Sequence, residues 1–141
     1  MIILDTNVVS EPMKPNRNPA VQNWLDRQAI ETLYLTTTSL SELLVGVGML
    51  PDGKRKDGLA AALEELLAEL FGPRILPFDR PAAIAYASLV GRARRTGYLL
   101  SVADGQIAAS AIDRGFAVAT RDTEPFTAAG ATVINPWTER L

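Results

Sequence analysis

Short apolar runs alternate with longer stretches in which apolar residues recur every three or four positions, the mark of strands alternating with helices. Met1 to Leu4 is a brief Ile-rich run suited to a strand buried on both faces, with Asp5-Thr6-Asn7 at its carboxyl end. A short helical turn through Val8-Val9-Ser10 is expected before Pro12 and Pro15 interrupt it. Asn18-Pro19 reads as the N-cap and first position of a helix running to about Gln28, with Val21, Trp24 and Leu25 on its apolar face. Leu33 to Thr37 reads as a second strand. Ser39 opens a helix that carries Leu40, Leu43, Leu44 and Val47 inward and stops at Pro51-Asp52-Gly53. From about Asp57 to Phe71, Leu59, Leu63, Leu66, Leu67 and Leu70 form one face and Glu64, Glu65 and Glu69 the other. Ile75 to Phe78 is a third strand, Asp79 caps a helix that Gly97 ends, and Ser101 begins another that stops near Gly115. Phe116 to Thr120 and Thr132 to Ile134 complete the strands. Strands alternating with helices predict an α/β fold, a parallel sheet with helices on both faces, and a single domain over residues 1–141.

Composition narrows the chemistry mainly through what is missing. The 141 residues contain no Cys and no His, which removes disulfides, thiolate nucleophiles, Ser-His-Asp triads and the usual zinc ligands. Catalysis would have to come from carboxylates, hydroxyls, Lys, Arg or a bound ion, and carboxylates without His or Cys favour hard cations such as Mg²⁺ or Mn²⁺. A formal charge of −2 neither favours nor excludes nucleic acid, but basic residues cluster at Lys54-Arg55-Lys56 and at Arg92, Arg94 and Arg95. Each cluster has an ordinary reading as solvated charge on a loop or a helix face. The N-terminal run carries no basic segment and no small-residue cleavage site, and no stretch approaches the roughly 18 apolar residues a spanning helix needs. The expected location is the cytoplasm, without membrane contact.

Four acids stand out by position. Asp5 follows the first strand, Glu42 lies in the first turn of the helix after the second strand, Asp104 lies in the first turn after Ser101, and Asp122 follows the fourth strand. The carboxyl ends of parallel strands share one sheet edge, where ligands bind. Each acid also has a local explanation: Ser39-Leu40-Ser41-Glu42 matches a capping box, Ser101-Val102-Ala103-Asp104 is a similar arrangement, and Asp5 and Asp122 suit turns. Capping alone does not require all four to meet at one edge. Clustered carboxylates repel one another and gain by enclosing a divalent cation, which can activate a water and stabilise charge on a phosphoryl group. Thr6, Thr120 and Ser39 are the hydroxyls placed to hydrogen-bond such carboxylates or a bound water.

Ile3-Leu4-Asp5-Thr6-Asn7, Ser41-Glu42-Leu43, Ala103-Asp104-Gly105-Gln106-Ile107-Ala108 and Ala119-Thr120-Arg121-Asp122 together resemble the signatures of PIN domains. Within that superfamily the chain resembles the VapC-type toxins, especially the branch of the toxin FitB, to which Pro51-Asp52-Gly53-Lys54-Arg55-Lys56 and Asn135-Pro136-Trp137 are also similar. The motifs are short, but their order and spacing span nearly the whole chain. The resemblance implies a three-layer α/β/α fold, a homodimer, and Mg²⁺ or Mn²⁺ held by Asp5, Glu42, Asp104 and Asp122 for hydrolysis of RNA phosphodiesters. It also implies a cognate antitoxin whose tail blocks the active-site groove, and whose ribbon-helix-helix part carries the complex to operator DNA. One departure is local: many relatives place an acid just before the Phe that follows the fourth acid, whereas this chain reads Thr123-Glu124-Pro125-Phe126.

The expected function is therefore that of a metal-dependent endoribonuclease toxin of a VapBC-type pair. A second expectation, from another class, is a regulatory partner acting mainly in a DNA-binding complex with its antitoxin, with weak or no nuclease activity. No segment reads as a helix-turn-helix with a basic recognition helix, so DNA contact would come through the partner. A DNA-cutting nuclease ranks lower, because the flap-endonuclease relatives of the superfamily generally carry large additional elements for which this chain has no room.

Overall fold

Five strands form one wholly parallel sheet in the order β3-β2-β1-β4-β5 in a computed structural model that describes residues 1–139. They are β1 (Ile2–Leu4), β2 (Leu33–Thr36), β3 (Ile75–Leu76), β4 (Ala117–Ala119) and β5 (Val133–Ile134). β1 is central, pairing Ile2 with both Leu33 and Ala117. That position explains its unbroken apolar run, since both of its faces are covered. Successive side chains leave a strand on opposite faces. Leu4 and Ala119 accordingly join one core, with Leu33, Leu35 and Phe71, while Ile3 and Val118 join the other.

The helices are α1 (Thr6–Ser10), α2 (Pro19–Asp26), α3 (Thr37–Gly48), α4 (Lys54–Leu66), α5 (Arg80–Arg95), α6 (Val102–Arg114) and α7 (Thr123–Ala128). Val8, Val9, Val21, Trp24, Leu43 and Leu63 bring α1 to α4 onto the first core. Leu89, Ile107, Ala108 and Phe126 bring α5, α6 and α7 onto the second. The result is the three-layer α/β/α arrangement. Burial of such side chains, about 1.5–3 kcal/mol each, is the main force holding the layers. Among the described residues no helix is long and apolar enough to cross a membrane.

Several boundaries differ from the sequence reading for local reasons. α3 starts at Thr37 rather than after Ser39, because the hydroxyl of Thr36 caps it by accepting the Ser39 N–H at 3.1 Å. The basic triplet Lys54-Arg55-Lys56 is the first turn of α4 and not a loop, and Lys56 is tied back to Asp52 and to the Gly48 carbonyl. The amphipathic segment ends in a wider, π-helical turn over Leu67–Phe71, which Gly72 terminates at φ 52°. Strands β3 and β4 are shorter than expected. α7 has no counterpart in the pattern of the chain, since six residues containing Pro125 are too few to show a period. Pro125 is tolerated there because N–H groups of a first turn have no intrahelical partner.

Candidate active site

The carboxyl ends of β1, β2 and β4 lie side by side, and the chain leaves each through a short polar segment. Asp5 leaves β1 and is the N-cap of α1, its Oδ1 accepting the Thr6 N–H at 2.8 Å. Thr120 leaves β4 and donates its hydroxyl to Asp5 Oδ2 at 2.7 Å. The Thr120 hydroxyl oxygen in turn accepts the Asp122 N–H at 3.0 Å and the Asn7 side-chain amide at 3.5 Å. One donor and two acceptors use the hydroxyl fully, so Thr120 ties three segments together. Asn7 adds a further link by accepting the Arg121 N–H at 3.3 Å. Thr120 is 0% exposed and Asp5 only 6%, a costly place for a carboxylate.

Glu42 is where the sequence reading needs correction. With α3 starting at Thr37, Glu42 sits in its second turn and takes no part in a capping box. Its Oε1 instead accepts the Thr6 hydroxyl at 2.9 Å, which draws α3 toward the start of α1. Ser39, expected among the hydroxyls serving the acids, is buried and bonded to Thr36. Ser101 does cap α6, accepting the Asp104 N–H at 3.1 Å. Asp122 stands at the N-cap of α7 without a side-chain capping bond, so capping leaves its carboxylate unused.

Burial raises the carboxyl of Asp5 from 3.8 to about 6; hydrogen bonds from Thr120 and Thr6 oppose the rise, and the charges of Asp104 and Glu42 add to it. Asp104 is also raised, first by burial and then by Asp122, against the hydrogen bond with Ser101. The four acids are thus linked through their fields in the order Glu42, Asp5, Asp104, Asp122. Among the described residues no three carboxylates stand close enough to enclose an ion as the side chains are placed. The donor set is nevertheless oxygen alone, with repulsion that a divalent cation relieves, which fits Mg²⁺ or Mn²⁺. Glu42 and Asp122 are both exposed, so joint ligation asks for side-chain motion, which for Glu42 means leaving the Thr6 hydroxyl, and not for a change of fold.

Two neighbours carry no signal strong enough to be read from the chain alone. Asn7 is flagged only by adjacency to Asp5. Tyr98 is a half-buried aromatic in the loop before α6, and loops are where binding residues concentrate. A further buried acid, Glu11, belongs to the scaffold: Lys14 pairs with it at 3.0 Å and holds its carboxyl below the usual range, and its Oε1 accepts the Asn18 N–H. Arg121 lies with its guanidinium 5.3 Å from the Trp137 ring centroid, so the closing Asn135-Pro136-Trp137 segment packs beside the site.

The profile of the PIN domain family matches residues 2–131. The chain is 50% identical over 138 residues to the VapC ribonuclease Y4jK of Sinorhizobium fredii, covering 97% of this chain and 98% of that one. It is 47% identical over 137 residues to the toxin FitB of Neisseria gonorrhoeae, covering 97% and 99%. The crystal structure of FitAcB from Neisseria gonorrhoeae superposes with a TM-score of 0.94 at 46% identity, covering 99% of this chain and 100% of that one. A structure of FitAB bound to an IR36 DNA fragment gives 0.95 at 44% identity, covering 100% and 99%.

Proposed function

The chain belongs to the PIN domain family, in the group that includes the ribonuclease Y4jK and the toxin FitB, and from that premise we propose that it is the metal-dependent endoribonuclease toxin of a VapBC-type toxin–antitoxin pair. The observation that carries the reading is the placement of Asp5, Glu42, Asp104 and Asp122 along one sheet edge, where Asp5 is raised in part by the charges of Asp104 and Glu42, and Asp104 in part by that of Asp122. These four would hold Mg²⁺ or Mn²⁺, which when bound supplies an activated water and stabilises charge on the phosphate under attack. Thr120 and the Thr6 N–H hold the Asp5 carboxylate in one orientation, and the Thr6 hydroxyl restrains Glu42. Burial of Asp5 lowers the local dielectric and so strengthens each charge interaction there.

The partners follow from the same reading. A groove of about 550 Å³ between α1, α3 and α4 is lined by Met13, Leu43, Val47, Leu50, Leu59 and Leu63, with Thr6 and Glu42 at its edge. Its apolar floor suits an amphipathic segment of the cognate antitoxin, and Lys14 and Arg55 on its rim suit acidic residues flanking that segment. The antitoxin would be of the ribbon-helix-helix type and would carry the complex to operator DNA, in keeping with the DNA-bound FitAB structure. A homodimer would cover some of the exposed apolar side chains, of which Met49 and Leu99 are more than four-fifths exposed. Both cores rest on one sheet, which supports the reading of the chain as one domain.

The test is cleavage of a panel of cellular RNAs with Mg²⁺ or Mn²⁺, comparing the antitoxin-free protein, its Asp5→Asn variant and an EDTA control. Discrete products that vanish in the variant and in EDTA are expected. Equal cleavage by Asp5→Asn in a nuclease-free preparation would remove the assignment. Activity lost only through unfolding would return Asp5 to a structural role.

A further inference from the structure

Beside the acidic site lies a second groove, of about 640 Å³, lined by Arg92, Thr96, Tyr98, Thr123, Glu124, Thr127 and Gly130. It follows α7, whose N-cap is Asp122, for about 9 Å at 1.5 Å per residue. Arg92, Arg94 and Arg95 all occupy the last turn of α5, where positive charge suits the helix dipole. Arg92 alone among them lines the groove. Its guanidinium rests on Gly130, at φ 89°, so closely that a Cβ there would collide with it. No carboxylate among the described residues pairs with it.

Tyr98 lines the same groove. Burial, and then the charges of Glu124, Asp104 and Asp122, raise its phenol above the usual range, so the ring stands within the field of the acidic site. Among the described residues it packs against no other aromatic ring, unlike Tyr34, tilted against Phe116, or Tyr86, edge-on to Phe78. An aromatic ring free of other rings, sharing one groove beside the acidic edge with hydroxyls and an unpaired guanidinium, is the combination that holds single-stranded nucleic acid by base stacking and phosphate pairing.

We propose that this groove is a subsite for a nucleotide of the RNA strand next to the scissile phosphate, with Tyr98 stacking on its base and Arg92 pairing with its phosphate. The assignment rests on the nuclease reading above and deepens it. Tyr98 and Arg92 are positioning residues that set which strand geometry, and which base beside the cut, the site accepts.

The experiment has a binding arm and a cleavage arm. Binding of a fluorescent, mixed-sequence single-stranded RNA dodecamer is followed by anisotropy in EDTA for the wild type, Tyr98→Phe, Tyr98→Ala and Arg92→Gln, with a matched DNA alongside. Tyr98→Phe keeps the stacking face and should bind within about twofold of wild type. Tyr98→Ala should weaken binding about ten- to a hundredfold. Arg92→Gln should also weaken it and reduce the salt slope by about one. In the cleavage arm, with Mg²⁺ or Mn²⁺, Tyr98→Ala should raise KM by a similar factor while kcat stays within about threefold. If the alanine variant is less stable, Tyr98→Leu replaces it, since it fills space without offering a π-face. RNA binding that depends on Tyr98 without cleavage leaves the subsite standing and removes the nuclease. Cleavage indifferent to Tyr98 and Arg92 does the reverse. Wild type that binds no RNA, or binds the matched DNA more tightly, overturns the subsite.

Discussion

Replacing Asp5 by Asn should make the protein more stable, and the gain should depend on pH in a defined direction. Asp5 is 6% exposed, and its carboxyl is raised from 3.8 to about 6 by burial first and by Asp104 and Glu42 after it. A raised acid binds its proton more tightly folded than unfolded, so its stabilising contribution is complete below about pH 3.8 and is lost as pH rises through about 6. At pH 7.5 the folded state carries the whole penalty, about 3 kcal/mol for a shift of about two units. At pH 5 the folded carboxyl is mostly protonated, and only about half the penalty remains. Asn removes the charge but keeps one of two acceptor oxygens, so weakening the bond to Thr120 or to the Thr6 N–H costs about 1 kcal/mol. The net expectation is a gain of about 2 kcal/mol at pH 7.5 and well under 1 kcal/mol at pH 5. Urea denaturation of both proteins at the two pH values, in EDTA, measures it. A variant less stable than wild type at pH 7.5, or a difference that does not change with pH, refutes the reasoning, because burial of a charge would then not dominate at Asp5.

Three more outcomes follow from the same geometry. Thr120→Val deletes the donor to Asp5 and the acceptor of the Asp122 N–H, so stability should fall by about 1–3 kcal/mol. With that bond gone, the acid limb of the pH–rate profile should move upward, whereas an unmoved limb would mean Thr120 does not restrain the ionised form. Mn²⁺ should raise the melting temperature of wild type, by the equivalent of about 1.4 kcal/mol at ten times its Kd, and should do so far less for Asp104→Asn; equal shifts in both would separate the ion from this site. Gly105→Ala should lose about 1 kcal/mol in thermal denaturation, because its Cβ would meet the Tyr86 ring 2.6 Å away while Phe78 packs edge-on against that ring. The helix propensity gained is too small to cover the clash, and a more stable variant would show that Tyr86 moves aside.

The chain by itself determined the layered architecture and the placement of acids just beyond the strand ends. An Ile-Ile-Leu run must be covered on both faces, and helical stripes such as the leucines after Asp57 must find a sheet to cover. Once the strands are parallel, acids placed just beyond their ends share an edge. Absence of His and Cys was equally plain in the composition, and with it the oxygen-only donor set. What the acids do locally was not legible. Ser39 and Glu42 have capping-box spacing, yet Thr36 starts the helix earlier and leaves Glu42 to Thr6, thirty-six residues away in sequence. The Thr120 hydroxyl that joins Asp5, Asp122 and Asn7, the short helix α7 and the seat of Arg92 on Gly130 are likewise products of tertiary contact. Periodicity reports which face of an element is apolar, because burial acts on each residue separately. Hydrogen-bond partners and raised carboxyls depend on distances between segments far apart along the chain, and those exist only once the two cores have closed on the sheet.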